Sequence, residues 1–167
     1  LVRVNKNVKS QSEKDFLAKD RLETCLNDRL QMTESVRNIF HNTNVLQVVH
    51  GDLDQPLLGM TLERFINIGT NCDQVIHCGS WVNHKASYNI LKDANVNATT
   101  DFIKWGYLRK KANLSKLRIC YVSTISVINK SFNEPTDPFN EIEPTRSYIS
   151  NKSGYVQSKY VAERRLM

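Results

Sequence analysis

Short apolar runs take turns with longer stretches whose apolar residues recur every three or four positions, and this alternation is the feature that most constrains the fold. Val45-Leu-Gln-Val-Val49, Asn71-Cys-Asp-Gln-Val-Ile-His77 and Lys116-Leu-Arg-Ile-Cys-Tyr-Val122 are short and bounded by turn residues, as buried strands are. Leu1 to Val4 reads as the tail of one more. Ala18, Leu22, Leu26 and Leu30 recur every four residues behind the N-cap candidates Ser10 and Ser12, which predicts an amphipathic helix running to Phe40. A short helix is expected over 61–68 and a longer one over 92–111, with Val96, Phe102, Ile103 and Leu108 turned inward. Strands separated by helices pair in parallel, since the helix is the crossover that brings the chain back to the sheet. The expected class is α/β with a parallel sheet, and 167 residues suit a single domain.

Several functional classes fall away on composition. No apolar run approaches bilayer length, so no membrane span is expected. The net charge of +6 could serve nucleic acid, but the basic residues are spread without aromatic interleaving, and none is expected as a partner. The one dense cluster, Arg109-Lys110-Lys111, sits at a helix end where cations complement the dipole, and reads as a solvated face. Cys25, Cys72, Cys78 and Cys120 form no Cys-x-x-Cys pair and stand beside no His at ligand spacing, so no metal is expected; they read as scattered buried thiols of a reducing compartment, the cytoplasm. Sequons at Asn97, Asn113, Asn129 and Asn151 are read as chance matches to a short motif.

In an open parallel sheet, ligands gather beyond the carboxyl ends of the strands. Arg3, Gly51-Asp52-Leu53, Cys78-Gly79-Ser80 and Ser123-Thr124 each follow an expected strand, which suggests one shared crevice, although turn residues alone would end strands the same way. Residues 129–152 hold three prolines and neither period, and read as a long functional loop. Behind that loop stands Ser153-Gly-Tyr-Val-Gln-Ser-Lys-Tyr160. On a helix Tyr155 and Lys159 share a face, and a positive charge beside a phenol favours the phenolate and proton transfer near neutrality. A hydroxyl from Thr124 could reach the same substrate oxygen. The pair alone is a weak motif; its place after a loop and a hydroxyl-ended strand strengthens it.

With VVHGDLDQPLLGM, VIHCGSWVNH, ANVNATT, YVSTISV and SGYVQSKYVAERR in this order, the chain resembles the extended short-chain dehydrogenase/reductases. More narrowly it is similar to the thioester reductase domains that end nonribosomal peptide synthetases, and to their relatives in carboxylic acid and aminoadipate reductases. The resemblance spans nearly the whole chain. It implies a Rossmann-like, doubly wound parallel sheet, incomplete at both ends, forming a single partial NADP-binding domain over 1–167. By the same resemblance Thr124, Tyr155 and Lys159 are the catalytic hydroxyl, tyrosine and lysine, and Tyr155 and Lys159 also border the cofactor. Asp52 and Leu53 line the adenine pocket, and His77, Cys78, Gly79 and Ser80 run beside the cofactor. Arg3 receives the ribose phosphate, which favours NADP(H) over NAD, with a structural salt bridge as its alternative. Asn95 and Asn97 fall in the family's Asn-rich helix start, with helix capping as an equal explanation for both. The family's glycine-rich pyrophosphate loop has no counterpart in these residues, so this piece alone is expected to bind cofactor poorly and to be inactive.

The function so implied is NADPH-dependent reduction, within a larger protein, of an acyl or peptidyl thioester carried on the phosphopantetheine of a carrier domain, giving an aldehyde or, onward, an alcohol. A fatty acyl reductase or sugar-nucleotide epimerase shares the Thr/Tyr/Lys chemistry. A non-catalytic nucleotide-binding module is the alternative of another class.

Overall fold

The computed structural model describes residues 10–30, 32–128 and 149–167, in two compact units, Leu1–Asp52 and Leu53–Met167. The expected strand at Leu1–Val4, Arg3 within it, and most of the loop 129–152 lie outside the described residues.

In the first unit the expected single helix is two. Helix α1 spans Gln11–Leu30, and α2 spans Glu34–His41 behind Thr33, whose hydroxyl accepts from Val36 N–H at 3.4 Å. That cap explains the break, because a side chain that satisfies an orphan helix-start donor fixes a new N-terminus. Ala18 and Phe40 are buried, Lys19 lies 5.4 Å from the Phe40 ring centroid, and His41 pairs with Glu23 at 3.5 Å. The strand expected at Val45–Val49 is not formed. Residues 43–45 turn, Val45 is exposed, and only His50 makes a bridge, its N–H also donating to Asp15 at 2.8 Å. A run of β-branched residues becomes a strand only where a neighbour completes its ladder, and the described residues of this unit include no other strand.

The second unit carries the parallel pair. Strand β1, Gln74–His77, lies beside β2, Arg118–Tyr121, with Gln74 opposite Arg118 and His77 opposite Tyr121. Helix α3, Leu62–Asn71, starts behind Thr61, whose hydroxyl accepts from Arg64 N–H. A helical run from Tyr88 to Lys111 leads from β1 towards β2: α4, Tyr88–Lys92, a wider π turn at Asp93–Asn97, and α5, Ala98–Lys111. It begins four residues before the expected start. Val96 and Phe102 are buried as expected, whereas Ile103 and Leu108 are half-buried and Trp105 takes the deeper position. Helix α6, Gly154–Leu166, closes the unit behind the cap Ser153.

One row of rings organises this core. Phe65 of α3 stands 5.3 Å from Trp105, Trp105 stands 5.2 Å from Phe102, Phe102 stands 4.7 Å from His77, and His77 stands 5.3 Å from Tyr121. Each such contact contributes about 1 kcal/mol beyond burial. Gly69 makes the first contact possible, since a methyl there would stand 2.1 Å from Trp105 Cδ1. The outer face of the pair is open, with Ile76 and Cys120 exposed. The four cysteines are free as thiols, but Cys25, Cys78 and Cys120 are exposed rather than buried.

Arg109 is not part of a solvated face. It is buried, and its five donors reach Ser115 O, Thr70 O, Cys72 O, Asp73 Oδ1 and Ser115 Oγ at 2.6–2.9 Å. The planar guanidinium thereby ties the end of α3 and both strand entrances to the end of α5. Replacing Arg109 with Ala strands those carbonyls, and is expected to lower unfolding free energy by about 3 kcal/mol in urea titration, with Arg109→Lys recovering little of it. A loss within the range of an ordinary surface substitution, about 0.5 kcal/mol, contradicts this role.

Candidate active site

The last turn of β1 and β2 delivers side chains toward α6. Lys159 is 1% exposed, and its Nζ donates to the Val122 carbonyl at 2.5 Å while lying 4.1 Å from the Tyr121 ring centroid. Burial pulls the ammonium's pKa down to about 8, against the opposing pull of Glu163 and Cys78. His77 is buried beside Tyr121 and is pushed down to about 4, first by burial and then by the Lys159 charge. Tyr121 is pushed well above the ordinary phenol range by burial, Glu163 and Tyr155. The strand ends therefore hold one cation among neutral rings.

Tyr155 is on the same face of α6, one turn before Lys159, buried among Leu91, Val127, Ile149 and Val156. Its ring meets the His84 ring edge to face at 5.1 Å. Gly154 makes this possible: a methyl there would stand 2.3 Å from Tyr88 N and 2.5 Å from the Ala86 carbonyl. Asn83 Oδ1 accepts from the N–H groups of Lys85 and Ala86, and so shapes the loop that carries His84. Thr124 is half-buried and caps a short 3-10 turn, Ile125–Val127, its hydroxyl accepting from Ser126 N–H at 3.4 Å. Val127 of that turn belongs to the Tyr155 cluster.

Asn95 has a larger part than a capping residue. It is buried in the π turn, accepts from Trp81 N–H at 2.7 Å, donates to Trp81 O at 3.2 Å, and donates to Ser158 Oγ at 2.9 Å. Ser158 in turn donates to the Tyr155 carbonyl at 2.7 Å. One amide thus joins the loop after β1 to the turn between Tyr155 and Lys159. The neighbouring Asn in the sequence, Asn97, donates to Asp93 at 2.7 Å instead.

Among the other expected site residues, Leu53 and Gly79 come together, since a methyl on Gly79 would stand 2.8 Å from Leu53 Cδ1. Leu53 and Asn97 share the lining of a cavity of about 320 Å³ with Asp54, Gln55, Thr100 and Lys104. Cys78 is exposed and interacts with the Lys159 charge, and Ser80 is half-buried. Asp52 is buried at the end of the first unit, and Arg3 lies outside the described residues. His84 packs on Tyr155 and Asn95 bonds to Ser158, so both join the candidate residues; the Asn83 turn and the glycine before Tyr155 were the signals that could point to the first.

Tyr121 OH, Ser123 Oγ and His77 Nε2 are buried without a hydrogen-bond partner among the described residues. Such atoms in a native core are placed for water or a bound group. Ser123 Oγ and His77 Nε2 at the strand ends are thus polar atoms that fit a bound nicotinamide nucleotide. No group of three His, Cys, Asp or Glu among the described residues could hold a metal, and no described helix is long and apolar enough to cross a membrane.

The family described as male sterility protein, an NAD-binding group, matches residues 2–167. A highly reducing polyketide synthase, calA, of Penicillium decumbens is 33% identical over 141 residues, 84% of this chain and 4% of that protein. A non-canonical nonribosomal peptide synthetase, cpsA, of Aspergillus campestris is 32% identical over 123 residues, 71% of this chain and 11% of that one. The terminal R domain of the myxalamid PKS-NRPS biosynthetic pathway superposes with a TM-score of 0.70 at 26% identity, covering 98% of this chain and 37% of that domain. The chain therefore spans a small part of these synthases and about a third of the solved domain, whose fold it shares.

Two outcomes follow from the geometry. Unfolded chains protonate the histidine near 6.5 and the folded one near 4, so the unfolded state holds more protons between those values. Stability is expected to fall by about 3 kcal/mol as pH drops from 6.5 to 4 and to level off below, and His77→Phe should flatten that slope in urea titrations across pH. A variant with the parent's slope assigns it elsewhere. Gly154→Ala must push the 86–88 backbone off α6, costing about 2 kcal/mol and speeding amide exchange at 84–88; unchanged exchange there means the approach is looser than described.

Proposed function

Because the chain belongs to the male sterility protein family and is of the extended short-chain dehydrogenase/reductase, thioester reductase type, we propose that it carries the catalytic hydroxyl, tyrosine and lysine of an NADPH-dependent reductase. Its substrate is an acyl or peptidyl thioester on the phosphopantetheine arm of a carrier domain, and its product an aldehyde. On this reading 1–167 is the interior of one NADP-binding domain in a cytoplasmic assembly-line protein. The observation that supports it best is the buried Lys159 ammonium, fixed at the end of β2 one helical turn from Tyr155.

Bound nicotinamide supplies the hydride. Leu53, Gly79, Ser80, Asn97, His77 and Cys78 would hold that nucleotide in the second unit. When the carbonyl carbon of the thioester accepts hydride, its oxygen gains charge. Thr124, whose oxygen already accepts from Ser126, keeps its O–H to donate to that oxygen, and Tyr155 gives it a proton. Lys159 brings its buried ammonium to the same face of α6, one turn from Tyr155. The hemithioacetal then breaks its carbon–sulfur bond, the thiol stays on the carrier arm and the aldehyde leaves.

In the full-length protein, Tyr155→Phe keeps the ring contact with His84 and removes the proton. NADPH oxidation with a carrier-bound thioester is expected to fall by about 10³-fold, with folding unchanged. Product analysis against carrier thioesters and nucleotide sugars reads the substrate class. Tyr155→Phe at parental rate, or turnover of nucleotide sugars alone, sinks the assignment.

A further inference from the structure

Tyr121 has no part in the proton transfer, yet its ring centroid lies 4.1 Å from the Lys159 ammonium. We propose that Tyr121 is a positioning residue for Lys159, its ring face holding the ammonium charged and aimed past the Val122 carbonyl toward the Tyr155 side of α6. This inference rests on the reductase reading given above.

Among the described residues the ammonium has few other partners. Its Nζ lies 4.1 Å from the Tyr121 centroid, inside the range of a strong cation–π contact, and donates to the carbonyl of the very next residue, Val122, at 2.5 Å. Ring and carbonyl therefore come from one strand end and act from adjacent positions on the same cation. Among the described residues, the charged and titratable groups that interact with it are Glu163 on its own helix, His77 and Cys78 at the end of β1, and Tyr121, which itself interacts with Tyr155. His77 remains neutral, so it offers no counter-charge. Glu163 sits one turn farther along, toward the end of α6. Removal of the ring would leave the buried ammonium with Val122 O as its hydrogen-bond acceptor among the described residues and no π face beside it.

A core-filling role alone explains Tyr121 less well. The ring is the last member of the row from Phe65 through Trp105, Phe102 and His77, so its plane is set by packing on the side away from the lysine. A preset ring face is what positioning requires.

The test is the pH profile of kcat/KM for NADPH oxidation with a carrier-bound thioester, using the full-length protein. Tyr121→Phe keeps the ring and is expected to keep the alkaline limb. Tyr121→Leu removes the π face, favours the neutral amine, and is expected to move that limb about one unit to lower pH with about a tenfold fall in kcat/KM. Progressive fluorination of a phenylalanine placed at 121 weakens the ring's negative face with little change of shape. It should lower the limb stepwise, and it remains readable where Tyr121→Leu does not fold. A limb that stays fixed across the fluorinated series, while Lys159→Met is inactive, overturns the positioning role and leaves the reductase reading standing. Parental activity in Lys159→Met overturns the reading itself.

Discussion

A buried ammonium has to be held by something, and here the holders are a carbonyl and a ring from the same strand end. Lys159 donates to Val122 O and lies over Tyr121, so α6 is fastened to β2 by the side chain that also brings the charge. Packing elsewhere in the unit converges on that point. The ring row fixes Tyr121 from the α3 side, Asn95 fixes the backbone between Tyr155 and Lys159 through Ser158, and Gly154 lets the His84 loop lie directly on the first turn of α6. Burial lowers the lysine's pKa without taking it below neutrality, so the site keeps a cation where water would otherwise dilute its field.

Two irregular backbones lie in the same unit. Leu57 and Leu58 have φ near +55° and precede Gly59 at φ 74°, a left-handed turn that leucine adopts at a cost of about 1 kcal/mol each. Leu58 is fully buried, so packing of that side chain offsets the backbone strain. The π turn at Asp93–Asn97 is the second irregularity, and turns of this kind occur often at functional sites. Residues from each segment or its flank, Gln55 and Pro56 on one side and Asp93 and Asn97 on the other, face a single cavity. The widened turn also brings Asn95 and Thr99 inward together, with the Thr99 hydroxyl donating to the Asn95 carbonyl at 3.0 Å.

The parts of the fold that were legible in the sequence are those set by neighbours along the chain. Period-four apolar residues found α1, and β-branched runs between turn residues found β1 and β2 and their parallel pairing. The i and i+4 relation of Tyr155 and Lys159 followed from helix geometry alone. What stayed hidden depends on residues far apart in sequence. Arg109 looked like a dipole-complementing surface cation because its acceptors, Thr70, Cys72 and Asp73, lie 36 to 39 positions away. Asn95 looked like a cap because Ser158 stands 63 positions on. Val45–Val49 shows the converse: strand-like composition makes no strand where no ladder partner stands beside it among the described residues.

The reductase account rests on the charge state and placement of one amine. The most direct measurement is a nitrogen-detected NMR titration of the Lys159 side chain in the full-length protein, with the lysine signal assigned by its substitution. The account predicts an ammonium that is protected from solvent exchange at pH 7 and loses its proton near pH 8. A freely exchanging amine that titrates at the ordinary lysine value, about 10.4, would contradict it.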